Sequence, residues 1–214
     1  MTRFIVVRHG FSVANKAQRF AGHVDTPLNE IGKKQATHAA EYLAANERID
    51  KIICSGLLRT RQTAAPIAKR FGLPVHEDAS LRELFAGLWE NMPYGDIDRT
   101  YHDDWMNWCY DIARSRCTGG ESVREHYARI ERAVHRIAEN HDGQTLLLVT
   151  HCTPVRVMCA MAAGVPWERF QDAPPAANAS IHVFIYEDGI LRCEKSNLIT
   201  YPRTLLSWRR FPHV

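Results

Sequence analysis

Three times along the chain a short apolar run ends abruptly in a polar turn and gives way to a helical pattern. The first run is Phe4 to Val7, followed by RHGFSVAN. The second is Ile52 to Cys54, followed by SGLLRTRQTAAPIAKRFG, in which Ala64, Ile67, Ala68 and Phe71 recur at helical spacing. The third is TLLLVT, Thr145 to Thr150, followed by His151 and PVRVMCAMAAG, where Pro154 suits the first turn of a helix and Gly164 its end. Unbroken Val, Ile and Leu runs alternating with helices predict a parallel sheet buried on both faces. The expected fold is α/β, a three-layer α/β/α sandwich with a mostly parallel sheet.

Two more helices are expected. NEIGKKQATHAAEYLAAN, from Asn29 to about Asn46, begins with a capping residue and carries an apolar face of Ile, Ala, Tyr and Leu. SVRE, at 122 to 125, is a capping box opening a helix with Val123, Tyr127, Ile130, Val134 and Ile137 on one side. ASIHVFIYEDGILRCEK alternates around EDG, which predicts an antiparallel hairpin at the sheet edge. Between Glu83 and Gly120 a stretch rich in Trp, Tyr and Asp fits neither a sheet strand nor a standard crossover. It reads as a short helical cap insertion at about 84–119, with Trp105, Trp108, Tyr101 and Tyr110 as its core. The whole chain, 1–214, is long enough for one domain with a full core.

Composition narrows the chemistry. The net charge of +3 comes from basic residues spread along the chain, so no nucleic-acid partner is expected, while an anionic small molecule fits. No apolar run approaches the ~20 residues of a membrane span, and MTRFIVV is no secretory signal, so a cytoplasmic protein without a membrane partner is expected. Six cysteines without a C-x-x-C pair suggest reduced thiols rather than a zinc ribbon. Eleven histidines include no H-x-x-x-H pair beside a carboxylate, and neither metal nor cofactor is expected.

In open parallel sheets ligands gather at the carboxyl ends of the strands. Here the first strand delivers Arg8 and His9, the second Arg59, five residues past Cys54, and the third His151. Two guanidinium forks, an imidazole and N–H groups at helix starts suit a dianionic phosphoryl group. Phosphoryl transfer demands positioning and charge neutralisation, which such a cradle supplies without a metal. Neighbouring arginines disfavour imidazolium, which leaves His9 a nucleophilic nitrogen at neutral pH. Glu83, in LRELFAGLWEN at the foot of the cap, is the best-placed proton donor for a departing alcohol.

At these residues the sequence resembles the histidine phosphatase superfamily, in its phosphoglycerate mutase-like branch. RHGFSVAN is similar to the signature R-H-G-x-S-x-x-N, CSGLLRTRQTA to the S-x-L-x-R-x-x-Q-T-A block, and GHVDTPLNEIGKKQA, LRELFAGLWE, GGESVREHYAR and LLVTH to further family segments. The likeness runs from residue 3 to about 186. It implies that His9 becomes a phosphohistidine, that Arg8, Arg59 and His151 bind the phosphoryl group, and that Glu83 protonates the leaving oxygen and then activates water. It places Ser12, Asn15, Gly22 and Cys152 at phosphate or substrate positions. Cys152 and Thr153 stand where many relatives carry glycines, WENMPY replaces W-E-G, and Ala21 stands where some mutases have threonine.

The favoured expectation is a metal-independent phosphomonoester hydrolase, monomeric or homodimeric, acting on a small metabolite. Sugar phosphates, phosphoglycerates and α-ribazole phosphate remain open as substrates. The runner-up is a 2,3-bisphosphoglycerate-dependent phosphoglycerate mutase, disfavoured because the segment after Glu83 is short and lacks an adjacent arginine pair. A non-catalytic module binding a phosphate ligand comes last, since the five central groups are all present.

Overall fold

Neighbouring residues of each apolar run are buried on alternate faces of one sheet, which fixes the architecture of the computed structural model, describing residues 1–206. In chain order the elements are β1 (Thr2–Arg8), α1 (Val13–Lys16), α2 (Glu30–Asn46), β2 (Lys51–Cys54), α3 (Leu58–Phe71), β3 (Val75–Glu77), α4 (Tyr94–Thr100), α5 (His102–Tyr110), α6 (Val123–Glu139), β4 (Thr145–Thr150), α7 (Cys152–Ala162), β5 (Ile181–Glu187) and β6 (Ile190–Leu198). Phe4 and Val6, Ile53, Leu146 and Leu148 face one side of the sheet and pack with Ile130, Val134 and Ile137 of α6 and Val155 of α7. Ile5 and Val7, Ile52 and Cys54, Leu147 and Val149 face the other side and pack with Ala39, Ala40 and Leu43 of α2 and Ala64 and Ile67 of α3. Each fully buried aliphatic side chain contributes about 1.5–3 kcal/mol, so neither position of the alternation can be polar. The predicted three-layer sandwich is the structure observed.

The strand order is β3-β2-β4-β1-β5-β6. The β1–β4, β2–β4 and β2–β3 pairs are parallel, and β1–β5 and β5–β6 antiparallel. The edge hairpin turns at Asp188 and Gly189, with φ of 51° and 78°, the left-handed pair that a tight two-residue turn requires. Strand β3 escaped the sequence pattern, because three half-exposed or exposed residues give no periodicity to read. Helix ends follow the expected chemistry. Asn29 accepts from the Gly32 N–H at 2.9 Å, Ser122 and Glu125 form the capping box, and Gly164 lies just past the α7 cap residue Ala163.

Between Glu83 and Gly120 the chain forms α4, α5 and short 3-10 turns. Buried Trp89 organises them, meeting Trp105 at 6.0 Å and Phe20 at 5.5 Å between ring centroids. Trp105, Trp108 and Tyr101 pack against the core as expected, whereas Tyr110 is 61% exposed and does not belong to it. Among the described residues no helix is long and apolar enough to cross a membrane.

Candidate active site

The register Arg8↔Thr150 and Cys54↔Val149 ends three parallel strands at one edge, so His9, Ser55 and His151 leave the sheet together. His9 is 4% exposed. Its Nδ1 lies 2.7 Å from the Gly10 carbonyl, which can only accept, so Nδ1 carries the proton and Nε2 keeps its lone pair. Burial, then Arg59 and Arg8, hold the His9 imidazole well below its ordinary range. The sequence named only the arginines, and burial is the larger cause.

The turn that presents His9 is fixed by close approach. A Cβ on Gly10 would stand 2.5 Å from the Gly32 carbonyl of α2, so only glycine fits. The Gly10 N–H donates to Thr63 Oγ1 at 3.0 Å. Ser12 and Asn15 form a capping box around α1, and Asn178 Nδ2 ties Asn15 Oδ1 to the His9 carbonyl at 3.3 and 3.2 Å.

Arg59 is fully buried in the first turn of α3. It donates from Nη2 to the Gly22 carbonyl at 2.7 Å, from Nη1 to Val24 at 2.8 Å and from Nε to His151 Nδ1 at 3.2 Å. Burial lowers its pKa to about 10 while Glu83, Glu90 and Asp25 oppose the shift, so it stays charged at neutral pH. Because Nδ1 of His151 accepts, Nε2 carries the proton and donates to Ser55 Oγ at 2.7 Å. The hydroxyl chain continues to Thr60 at 3.0 Å and ends on the Leu57 carbonyl at 2.7 Å. Burial, then Arg59, His9 and Arg8, hold His151 neutral as well. The two imidazoles meet edge to face, 5.2 Å between centroids.

Arg8 is half-buried, donates from Nη1 to the Ala176 carbonyl, and has a buried Nε with no hydrogen-bond partner among the described residues. Glu83 is half-buried; its Oε1 accepts from the Leu84 N–H at 3.0 Å and its Oε2 from the Thr153 N–H at 3.4 Å. Cys152 opens α7 and points Sγ at the Ala176 carbonyl, 3.8 Å away. Two N–H groups at helix starts have partners within the chain. Leu58 N–H at the start of α3 donates to Asp25, which also pairs with Arg61 at 3.3 Å, and Thr153 N–H serves Glu83. The side chains of Asp25 and Glu83 thus already meet these two donors within the chain.

Gly22 has φ +44°, and a Cβ there would stand 2.1 Å from Glu90 Oε1. Glu90 accepts the N–H groups of His23, Val24 and Ala86 at 2.8, 2.9 and 3.0 Å, fixing the loop whose carbonyls hold Arg59. The sequence missed Glu90, Ser55, Thr63 and Asn178. WEN marked the first and the block after β2 marked the next two, while nothing local marked Asn178. Among the described residues no three His, Cys, Asp or Glu side chains converge as metal ligands.

Known proteins resemble the chain over most of its length. Phosphoserine phosphatase 1 of Hydrogenobacter thermophilus is 33% identical over 170 residues, 79% of this chain and 80% of its own. The adenosylcobalamin/α-ribazole phosphatase of Salmonella typhimurium is 31% identical over 166 residues, 77% of this chain and 81% of its own. The structure of a mycobacterial glucosyl-3-phosphoglycerate phosphatase superposes with a TM-score of 0.82 at 27% identity, covering 92% of this chain and 99% of that one. The profile of the histidine phosphatase superfamily (branch 1) matches residues 4–199, and the chain belongs to that family.

Proposed function

We propose that the chain hydrolyses phosphate monoesters of small metabolites through a phosphohistidine at His9. The observation that carries this is the neutral His9 ring, fixed by Nδ1–H on the Gly10 carbonyl so that Nε2 presents a lone pair at a strand edge that also carries Arg8 and Arg59. Nε2 attacks phosphorus, the P–O bond to the leaving group breaks, and the Glu83 carboxyl gives its proton to that oxygen. Glu83, now a carboxylate, takes a proton from water. The water oxygen attacks phosphorus, the N–P bond breaks, and inorganic phosphate leaves.

Arg8 and Arg59 neutralise the phosphoryl charge, which dispenses with a metal. His151 binds a phosphoryl oxygen through Nδ1, for which its proton shifts to that nitrogen and Ser55 donates to Nε2 instead. Ser12, Asn15 and Gly22 shape the loop around the anion, and Cys152 borders the substrate. Residues 84–119 act as the cap of a single domain, and Tyr94, stacked on Trp105 at 5.6 Å and within the field of Arg8 and Glu83, lines its inner wall. Substrates of the named relatives, phosphoserine and α-ribazole phosphate, define the class to try first. All six cysteines are free, which suits the reducing cytoplasm, and the protein acts as a monomer or homodimer.

The test is phosphate release from a panel of phosphomonoesters in excess chelator, with 2,3-bisphosphoglycerate-dependent mutase activity assayed alongside. Chelator-resistant release is expected. Mutase activity with negligible release would replace this reading by phosphoryl return to a bound hydroxy acid, and silence in both assays would leave a binding module.

A further inference from the structure

We infer that Arg129 is the positioning residue of the acid: with Glu121 and His23 it fixes the main chain up to Glu83 and so sets where that carboxyl meets the leaving oxygen. This rests on Glu83 being the acid, as proposed above. Glu83 lies outside any helix or strand, so its backbone needs other partners. Arg129, on α6, supplies them. Its Nη1 donates to the Ser80 and Arg82 carbonyls at 2.8 and 3.1 Å, and its Nη2 to the Glu83 carbonyl at 3.2 Å. On the same carbonyl His23 places Nε2 at 2.8 Å.

The fork is itself held. Arg129 Nε and Nη2 grip Glu121 Oε1 and Oε2 at 2.9 and 2.8 Å, and the Nδ1 of fully buried His126 donates to Glu121 Oε2 at 3.2 Å. Glu121 in turn accepts the Phe85 N–H at 3.2 Å and donates its own N–H to the Phe85 carbonyl at 2.9 Å. The acid loop is thus gripped on both sides of Glu83. Burial would raise the Glu121 carboxyl, yet hydrogen bonds from Arg129 and His126 hold it well below the usual carboxylate range. The preceding glycines permit the approach, since a Cβ on Gly120 would stand 2.4 Å from the Phe85 carbonyl. GGESVREHYAR therefore reads as a bracket: glycines for contact, Glu121 for the loop after the acid, Ser122 to start α6, and Arg129 one helical face further on. Lysine cannot replace it, because one ammonium cannot span three carbonyls and a carboxylate.

A displacement of about 1 Å at a reacting group costs up to ~10²-fold, and only where that group is needed. The test compares kcat/KM on p-nitrophenyl phosphate, whose leaving group needs no proton, with that on O-phosphoserine, whose alkoxide does. Arg129→Lys should lose ~10- to 100-fold on phosphoserine and under ~3-fold on the aryl ester. His23→Ala, on the opposite side of the carbonyl, should show the same split to a smaller degree. Glu83→Gln combined with either change should lose no more on phosphoserine than Glu83→Gln alone. If Arg129→Lys does not fold, His23→Ala and its double variant decide by the same comparison. Uniform losses on both esters, or multiplying losses in the doubles, overturn the bracket while Glu83→Gln keeps its split. A Glu83→Gln variant without any split overturns the acid assignment and the bracket together.

Discussion

Nε of Arg59 donates to Nδ1 of His151 across 3.2 Å, in a site where neither side chain is exposed. A buried guanidinium thereby fixes the tautomer of a buried imidazole, and the imidazole passes that choice to Ser55. In the mechanism proposed above, His151 turns Nδ1 into a donor to the anion, and the Arg59 Nε–H then passes from His151 to the phosphoryl group.

Ser55→Ala tests the relay. It leaves the His151 Nε2 proton without its acceptor in a closed site, at a cost of about 1–3 kcal/mol. Urea unfolding should register that loss, and KM should rise more than kcat falls, because His151 then meets the phosphoryl group misoriented. A stability within about 0.5 kcal/mol of the parent would contradict the relay.

Gly22→Ala should damage both stability and turnover. The positive φ and the collision with Glu90 leave no room for a methyl group, and the displaced loop carries the carbonyls that hold Arg59. A loss of about 2 kcal/mol or more is expected in unfolding experiments, with kcat/KM falling at least ~10-fold. Parent-like turnover would show that the loop is not needed where it stands.

Stability should depend on pH through histidines kept neutral. Burial pushes His182 down to about 4 and holds His9 and His151 well below their ordinary range. The unfolded chain binds protons to these rings near pH 6.5, whereas the native chain does not, so acid favours unfolding. Their contribution is complete above about pH 6.5 and lost as the pH falls, by up to ~1.4 kcal/mol per pH unit for each ring. The window from pH 6.5 to about 5 separates these rings, and buried His126, which burial also pushes down, from the carboxylates of the unfolded chain, which titrate lower. Denaturant midpoints that stay constant across that window would contradict the buried neutral assignment.

The strands were legible because both sheet faces are buried, which turns Phe4 to Val7 and Leu146 to Val149 into unbroken apolar runs. Arg8, His9, Arg59 and His151 were legible because polar groups at strand ends and helix starts have no packing reason to be there. What the sequence hid are bonds made at a distance. Asn178 reaches the His9 carbonyl across 169 positions with nothing local to mark it, and Glu90, marked only by its WEN context, ties a loop 66 positions away. The partners of two helix-start donors were hidden for the same reason, since Asp25 and Glu83 meet the Leu58 and Thr153 N–H groups only in the folded chain.

His9→Ala should abolish turnover, by at least ~10³-fold, and keep the fold, because a small polar ring is removed from a turn held by backbone bonds. Circular dichroism and the urea midpoint verify the fold in the variant.

The most direct measurement is rapid alkaline quenching during turnover of p-nitrophenyl phosphate, followed by peptide mapping of the phosphorylated chain. The account predicts one acid-labile, base-stable phosphoryl group per chain, on the peptide holding His9, absent in His9→Ala, formed in step with the first nitrophenol released. Turnover without any phosphohistidine, or with the label on another residue, would contradict it.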